Sequence, residues 1–169
     1  PTTFNMETVN TWGNGTGFFL VENLEENHGR FSVVNNYGYN GSKAFKLNTF
    51  KNVANADNYT EDWFYNLRLG GSVDNLITPS IDLRNTSAIT VSFKYAYATN
   101  ATTTADITEK LRVYTSRNCG ETWTPKVVSI VGSTASSTIT GENLVTAGYA
   151  SNSDFAPTTN TMWREASFS

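Results

Sequence analysis

A chain of 169 residues is long enough for one domain with a real core, and its net charge of −3, without a basic stripe, excludes a nucleic-acid backbone as partner. Charged residues are only 16% and aromatics 13%, while Asn, Thr and Ser fill 60 of the 169 positions. That mixture suits strands and turns, leans toward an extracellular β-rich module, and leaves no apolar run long enough to cross a membrane.

The opening "PTTFNMETVN" has no signal peptide and reads as the start of a domain excised from something longer. Candidate strands follow at 31–34, 43–50 and 63–68, separated by the turn signals "NNYGYNGS" and "GGSVDN". In "DNLITPSIDL", 74–83, the proline suits a strand edge or a bend. "AITVSFKYAYA", 88–98, is the clearest strand. Its period-two alternation puts Ile89, Val91, Phe93, Tyr95 and Tyr97 on a core face and Thr90, Ser92 and Lys94 on the other. "TNATTTAD" is an exposed loop. Further strands are expected at 110–116, 123–131, 137–140 and 163–168, with Leu111, Val113 and Trp123 also facing the core. No segment keeps helical periodicity over three turns. Many short strands with polar connections indicate a β-sandwich or jelly roll in one domain, 1–169.

The only cysteine, Cys119, lies in the polar turn "RNCGE" between two strands. A lone cysteine excludes an internal disulfide. The only histidine, His28, is the sole partner for a nucleophile, and it reads as a loop residue in "ENLEENHGR". Neither a triad nor a zinc spacing emerges. The acid pairs Glu61-Asp62, Glu25-Glu26 and Asp106/Glu109 read as surface charge rather than a glycosidase pair. The chain is therefore expected not to be an enzyme. Exposed aromatic rings could stack on a sugar, and the loop tyrosines Tyr37, Tyr39 and Tyr59 are the candidates, against simple turn packing.

Taken in order, "DNLITPSIDL", "ITVSFKYAYA" and "EKLRVYTSRNCGETWT" resemble the jelly-roll modules of secreted Bacteroidetes proteins, of the choice-of-anchor J and cleaved-adhesin type, relatives of MAM domains. Asp74, Leu76, Thr78, Pro79, Asp82, Leu83, Phe93, Tyr95, Leu111, Val113, Ser116, Cys119, Gly120 and Trp123 fill the places of that pattern. Phe155, Pro157 and Trp163 match versions attached to secreted metallopeptidases, and "YNGSKAFKL" matches the upstream "G-x-x-S" strand. Phe4 and Glu7 stand where "FE" opens such domains, with two residues between them.

The resemblance implies an all-β jelly-roll sandwich of two antiparallel sheets, with Gly120 at positive φ and a Cys119 thiol packed and inert in a hairpin turn. It also implies a structural Ca²⁺ held by Glu7, Asn40 and Ser42, although Glu7 reads equally as a surface acid and Asn40-Gly41 as a hairpin turn. Members of the family continue past the Trp163 strand, so its edge is expected to be closed by further residues or by another polypeptide. The implied role is a non-catalytic accessory module of an extracellular or cell-surface protein, serving adhesion or substrate targeting with a glycan or protein ligand, beside other domains of its parent. The alternative is a structural docking module with no free ligand.

Overall fold

The computed structural model describes residues 19–23, 31–47, 73–107, 109–132, 143–148 and 154–169, with the backbone alone at 23 and 127–129. Among these residues every sheet pairing is antiparallel, and there is no α-helix. The protein is all-β over its described length. Among the described residues three single 3-10 turns, Tyr39–Gly41, Thr104–Asp106 and Asn160–Met162, interrupt the loops. The expected strands at 63–68 and 137–140 lie outside the described residues. The chain divides into two compact units, Pro1–Pro79 and Ser80–Ser169.

In the first unit, β1 (Leu20–Asn23) pairs with β4 (Asp74–Ile77), and β2 (Phe31–Val34) pairs with β3 (Ala44–Leu47). Asn75 Nδ2 donates to Glu22 Oε2 at 3.1 Å across the first pair, where Glu22 and Asn75 are register partners. Phe19 and Phe45 pack ring to ring, with centroids 4.7 Å apart. β1 was not expected from the sequence, because "LVEN" is too short for alternation to stand out.

The second unit holds β5 (Val91–Tyr95), β6 (Lys110–Thr115), β7 (Thr124–Val131) and β8 (Arg164–Phe168). β5 pairs with β8, Phe93 opposite Ala166, and β6 pairs with β7, Leu111 opposite Ile130. Tyr95, Ile130, Leu144 and Ala166 form the core, and Phe93, Tyr97, Leu111, Val113 and Phe168 pack against it. The opposite face of β5 and β8 is polar, as alternation requires. There Lys94 and Glu165, register partners, form an exposed ion pair at 2.7 Å.

Residues 143–148 tie this unit together. Leu144 N–H donates to Val131 O (2.9 Å), while Thr146 and Ala147 N–H donate to Tyr97 O (3.0 and 3.2 Å). The segment thereby carries Leu144 and Val145, 5% and 4% exposed, into the interior.

Three expected core positions are corrected. Ile89 and Val91 are 39% and 40% exposed, since the pairing of β5 begins at Val91↔Phe168 and residues 80–90 precede any described strand partner. Trp123 is 45% exposed. It sits at the turn end of the β6–β7 hairpin, just before β7 begins at Thr124, where residues 121–125 are all exposed.

Candidate functional site

The loop between β2 and β3 holds four of the six residues singled out from the sequence. Its sequence, "NNYGYNGSK", has two glycines and three asparagines, residues that supply tight turns. Asn40 (φ 58°, ψ 29°) and Gly41 (φ 75°) are both left-handed, and Ser42 N–H donates to Tyr39 O at 3.3 Å. Two consecutive positive φ values closed by that bond match the type I′ hairpin turn, which Asn-Gly favours. A second ring of bonds encloses the first. Gly38 N–H donates to Ser42 O (2.7 Å), and Gly41 N–H donates to Gly38 O (3.0 Å). Ser42 Oγ donates to Tyr39 O (2.8 Å).

Gly38 is buried beneath this arrangement. A Cβ there would lie 2.5 Å from both Lys43 O and Ser42 Oγ and 2.7 Å from Ser42 O. Crowding, rather than φ, demands glycine at 38, since its φ is −79°. Nothing in the sequence pattern separated this glycine from an ordinary turn glycine.

The loop presents its tyrosines differently. Tyr37 is 43% exposed, with Lys46 Nζ 5.9 Å from its ring centroid, while Tyr39 is half-buried. Lys46 belongs to β3 opposite Ser32, so the hairpin register delivers the cation to the ring. Tyr59 and Glu7 lie outside the described residues, as does His28.

For calcium, the loop fits in part. Ser42 Oγ and the Ser42 and Lys43 carbonyls gather around Gly38, and neutral oxygens are among the ligands Ca²⁺ takes. Residues 31–47 contain Lys43 and Lys46 but no acid, so the compensating charge would have to come from Glu7. No three His, Cys, Asp or Glu side chains come together among the described residues.

Cys119 itself adopts φ 57°, followed by Gly120 at φ 93°. Gly120 has the expected positive φ, but the thiol is exposed, which corrects the expectation that it packs. Its turn is held by side chains standing in for backbone. Ser116 Oγ accepts from Gly120 N–H (2.8 Å) and donates to Asn118 Oδ1 (2.9 Å), and that oxygen also accepts from Thr122 N–H (3.0 Å). These bonds are the local Asx and Ser motifs that compete with regular structure. The cysteine is carried by the turn and does not build it.

Asp82 and Tyr97 of the second unit are displaced from their ordinary values, as is Arg84, raised by its hydrogen bond to the Asp82 side chain. Hydrogen bonds from the Arg84 side chain, then from its backbone N–H, hold the exposed Asp82 carboxyl below its usual range. The Tyr97 phenol is pushed up to about 12, first by burial and then by the Glu109 carboxylate.

No helix among the described residues is long and apolar enough to cross a membrane. No protein-family model matches the chain, and neither a curated protein nor a solved structure matches it.

Proposed function

We propose that this chain is a non-catalytic binding module of a secreted or cell-surface protein, a jelly-roll sandwich whose loops capture a glycan or protein ligand for adhesion or substrate targeting. The observation that supports it is Tyr37, a large aromatic left 43% exposed on a loop closed by its own hydrogen bonds. A ring already fixed in place loses little freedom on binding, so more of the contact energy survives as affinity. A glycan array and a pull-down with the whole chain test this, each repeated with Tyr37→Ala. Saturable binding supports the reading, and its weakening in the variant assigns the ligand to this loop; no saturable binding to any glycan or protein would sink it.

In the same reading a structural Ca²⁺ would join the oxygens of Ser42, and Asn40, to the Glu7 carboxylate. An ion bound only to the folded state stabilises it by mass action. EDTA should then lower the melting temperature, and Glu7→Gln should abolish the difference. An unchanged melting curve removes calcium from the proposal.

The second reading, a docking module without a free ligand, is favoured by the apolar residues Ile81, Leu83, Ile89 and Val91, each 39–42% exposed. It calls for a specific protein partner and no glycan binding in the same two assays.

A further inference from the structure

The solvent side of the β6–β7 hairpin combines aromatic rings with cations. Along β6, Leu111, Val113 and Thr115 are half-buried, while Lys110, Arg112 and Tyr114 are exposed. Register places Pro125 opposite Tyr114 and Ser129 opposite Arg112. Three residues of β7, 126–128, therefore face one of β6, a register shift between Arg112 and Tyr114. Trp123 lies just before β7, at the turn end of the same hairpin. Tyr114 is 43% and Trp123 45% exposed, so two large rings stand uncovered on one hairpin.

The indole is not loose. Its Cζ2 lies 3.5 Å from where a Cβ on Gly120 would sit, which seats the ring against the turn fixed by Ser116 and Asn118. Beside the rings, no ion pair or side-chain hydrogen bond engages Lys110 or Arg112 among the described residues, and neither β6 nor β7 contains an acid. Two cations outside any ion pair thus share this hairpin with two exposed rings, in a chain of net charge −3.

The geometry points to a second binding face here, one that takes an acidic saccharide: a pyranose ring stacks on Trp123 and Tyr114, and its carboxylate or sulfate is held by Arg112, with Lys110 beside it. Side chains two apart on a strand are separated by roughly 6.6 Å, about the reach of a sugar ring and its substituent. Flat aromatic surface meets the apolar C–H face of the sugar, and a guanidinium forms strong charge-assisted bonds to carboxylate or sulfate. Single-stranded nucleic acid uses the same elements, but it carries a phosphate at every nucleotide, and a face with two cations in an acidic chain suits sparser charge. The inference rests on the binding-module reading and narrows its ligand, at a face separate from Tyr37.

The test is calorimetric titration of the whole chain with four probes: hexagalacturonate, a heparin hexasaccharide, cellohexaose and hexathymidylate. At least one acidic saccharide should bind about tenfold or more tightly than cellohexaose, and should weaken as salt is raised to about 0.5 M. Trp123→Ala and Arg112→Gln should each lose about tenfold in affinity, with circular dichroism unchanged and Tyr37→Ala without effect. The carboxylated and sulfated probes separate the two sources of charge. Acidic probes no tighter than cellohexaose, hexathymidylate tighter than either, or full binding in both variants would overturn the assignment. Glycan binding lost only with Tyr37→Ala overturns this face while leaving the module reading intact. A protein partner with no glycan binding at all overturns this face and favours the docking module over the ligand-capturing one.

Discussion

Replacing Gly132 by alanine puts a methyl group where no room exists. Gly132 follows β7 directly, and its N–H donates to Glu109 O at 2.9 Å, so the backbone is pinned beside Ile107 and Glu109. An added Cβ would overlap Cβ and Cγ2 of Ile107 and lie 2.7 Å from its carbonyl oxygen. Its φ lies outside the left-handed region, so the cost is steric alone. Ile107 is 5% exposed and cannot swing into solvent, and its Cβ moves only with its own backbone. Overpacking costs about 1–3 kcal/mol, and the rigidity of the overlapped atoms sets the expectation in the upper half, about 2–3 kcal/mol. For a chain of this size that lowers the melting temperature by about 4–12 °C. Thermal melts and urea titrations of Gly132→Ala read this directly, with the urea slope unchanged. Ile107→Ala alone should cost about 2–5 kcal/mol by emptying a buried site. The double variant should be about 1 kcal/mol or more better than the sum, since the second change removes part of what the first collides with. Strict additivity, or a Gly132→Ala protein as stable as the wild type, would refute the steric account.

Gly38→Ala should cost about 1–3 kcal/mol for a related reason, because its Cβ meets three oxygens that are themselves hydrogen-bonded; a neutral melting curve would show that the loop relaxes freely. Ser116→Ala removes the acceptor of Gly120 N–H and should cost about 1–2 kcal/mol, whereas Cys119→Ser should stay within about 0.5 kcal/mol, and a reversed order in urea denaturation would contradict the roles given to them. Tyr97 has a folded-state value of about 12 against an ordinary 10.0. The folded state thus favours the neutral phenol, and that contribution is complete below pH 10 and lost as pH climbs from 10 toward 12. Tyr97→Phe should flatten the alkaline limb of stability against pH; an identical limb in both proteins would discount the phenol.

Legibility in the sequence followed the length of the pattern. The strand 31–34 lies where expected, and β6 and β8 begin or end within a residue of expectation, because alternation there ran uninterrupted between turn signals. Tyr95 is buried with Phe93 and Tyr97 packed beside it, and Ser92 and Lys94 face water, so the facing of β5 was readable. Its length was not: 88–98 shrank to Val91–Tyr95, since a strand lasts only as long as its partner does, and partners are a tertiary fact. Leu144 and Val145 were missed because a six-residue coil segment has no period to read. Trp123 shows the same limit from the other side, as volume argued for burial while its place at the exposed turn end of the hairpin leaves it outward. In the loop, Tyr37 and Asn40-Gly41 were visible as turn chemistry, while the role of Gly38 depends on oxygens brought back by residues 42 and 43.

The two hairpin-like pairs of the second unit differ greatly in how far apart their strands lie along the chain. β6 and β7 are joined by eight residues, 116–123, whereas Val91 pairs with Phe168 across most of the unit. Closing a loop costs entropy that grows with its length, so contacts near in sequence form sooner than distant ones. The self-bonded turn at 116–122 gives β6–β7 a start, and β5 must wait for β8, the last described strand to leave a ribosome or a translocation channel. Until then one face of Phe93 and Tyr95 lacks the cover that Ala166 and Phe168 supply. The expected signature is a polarised folding transition state, with kinetic φ-values high at Ser116 and Leu111 and low at Ala166. High values at Ala166 would mean that the distant pairing comes first. With the expected order, the interval between synthesis of residue 95 and residue 168 is when this protein is most exposed to aggregation.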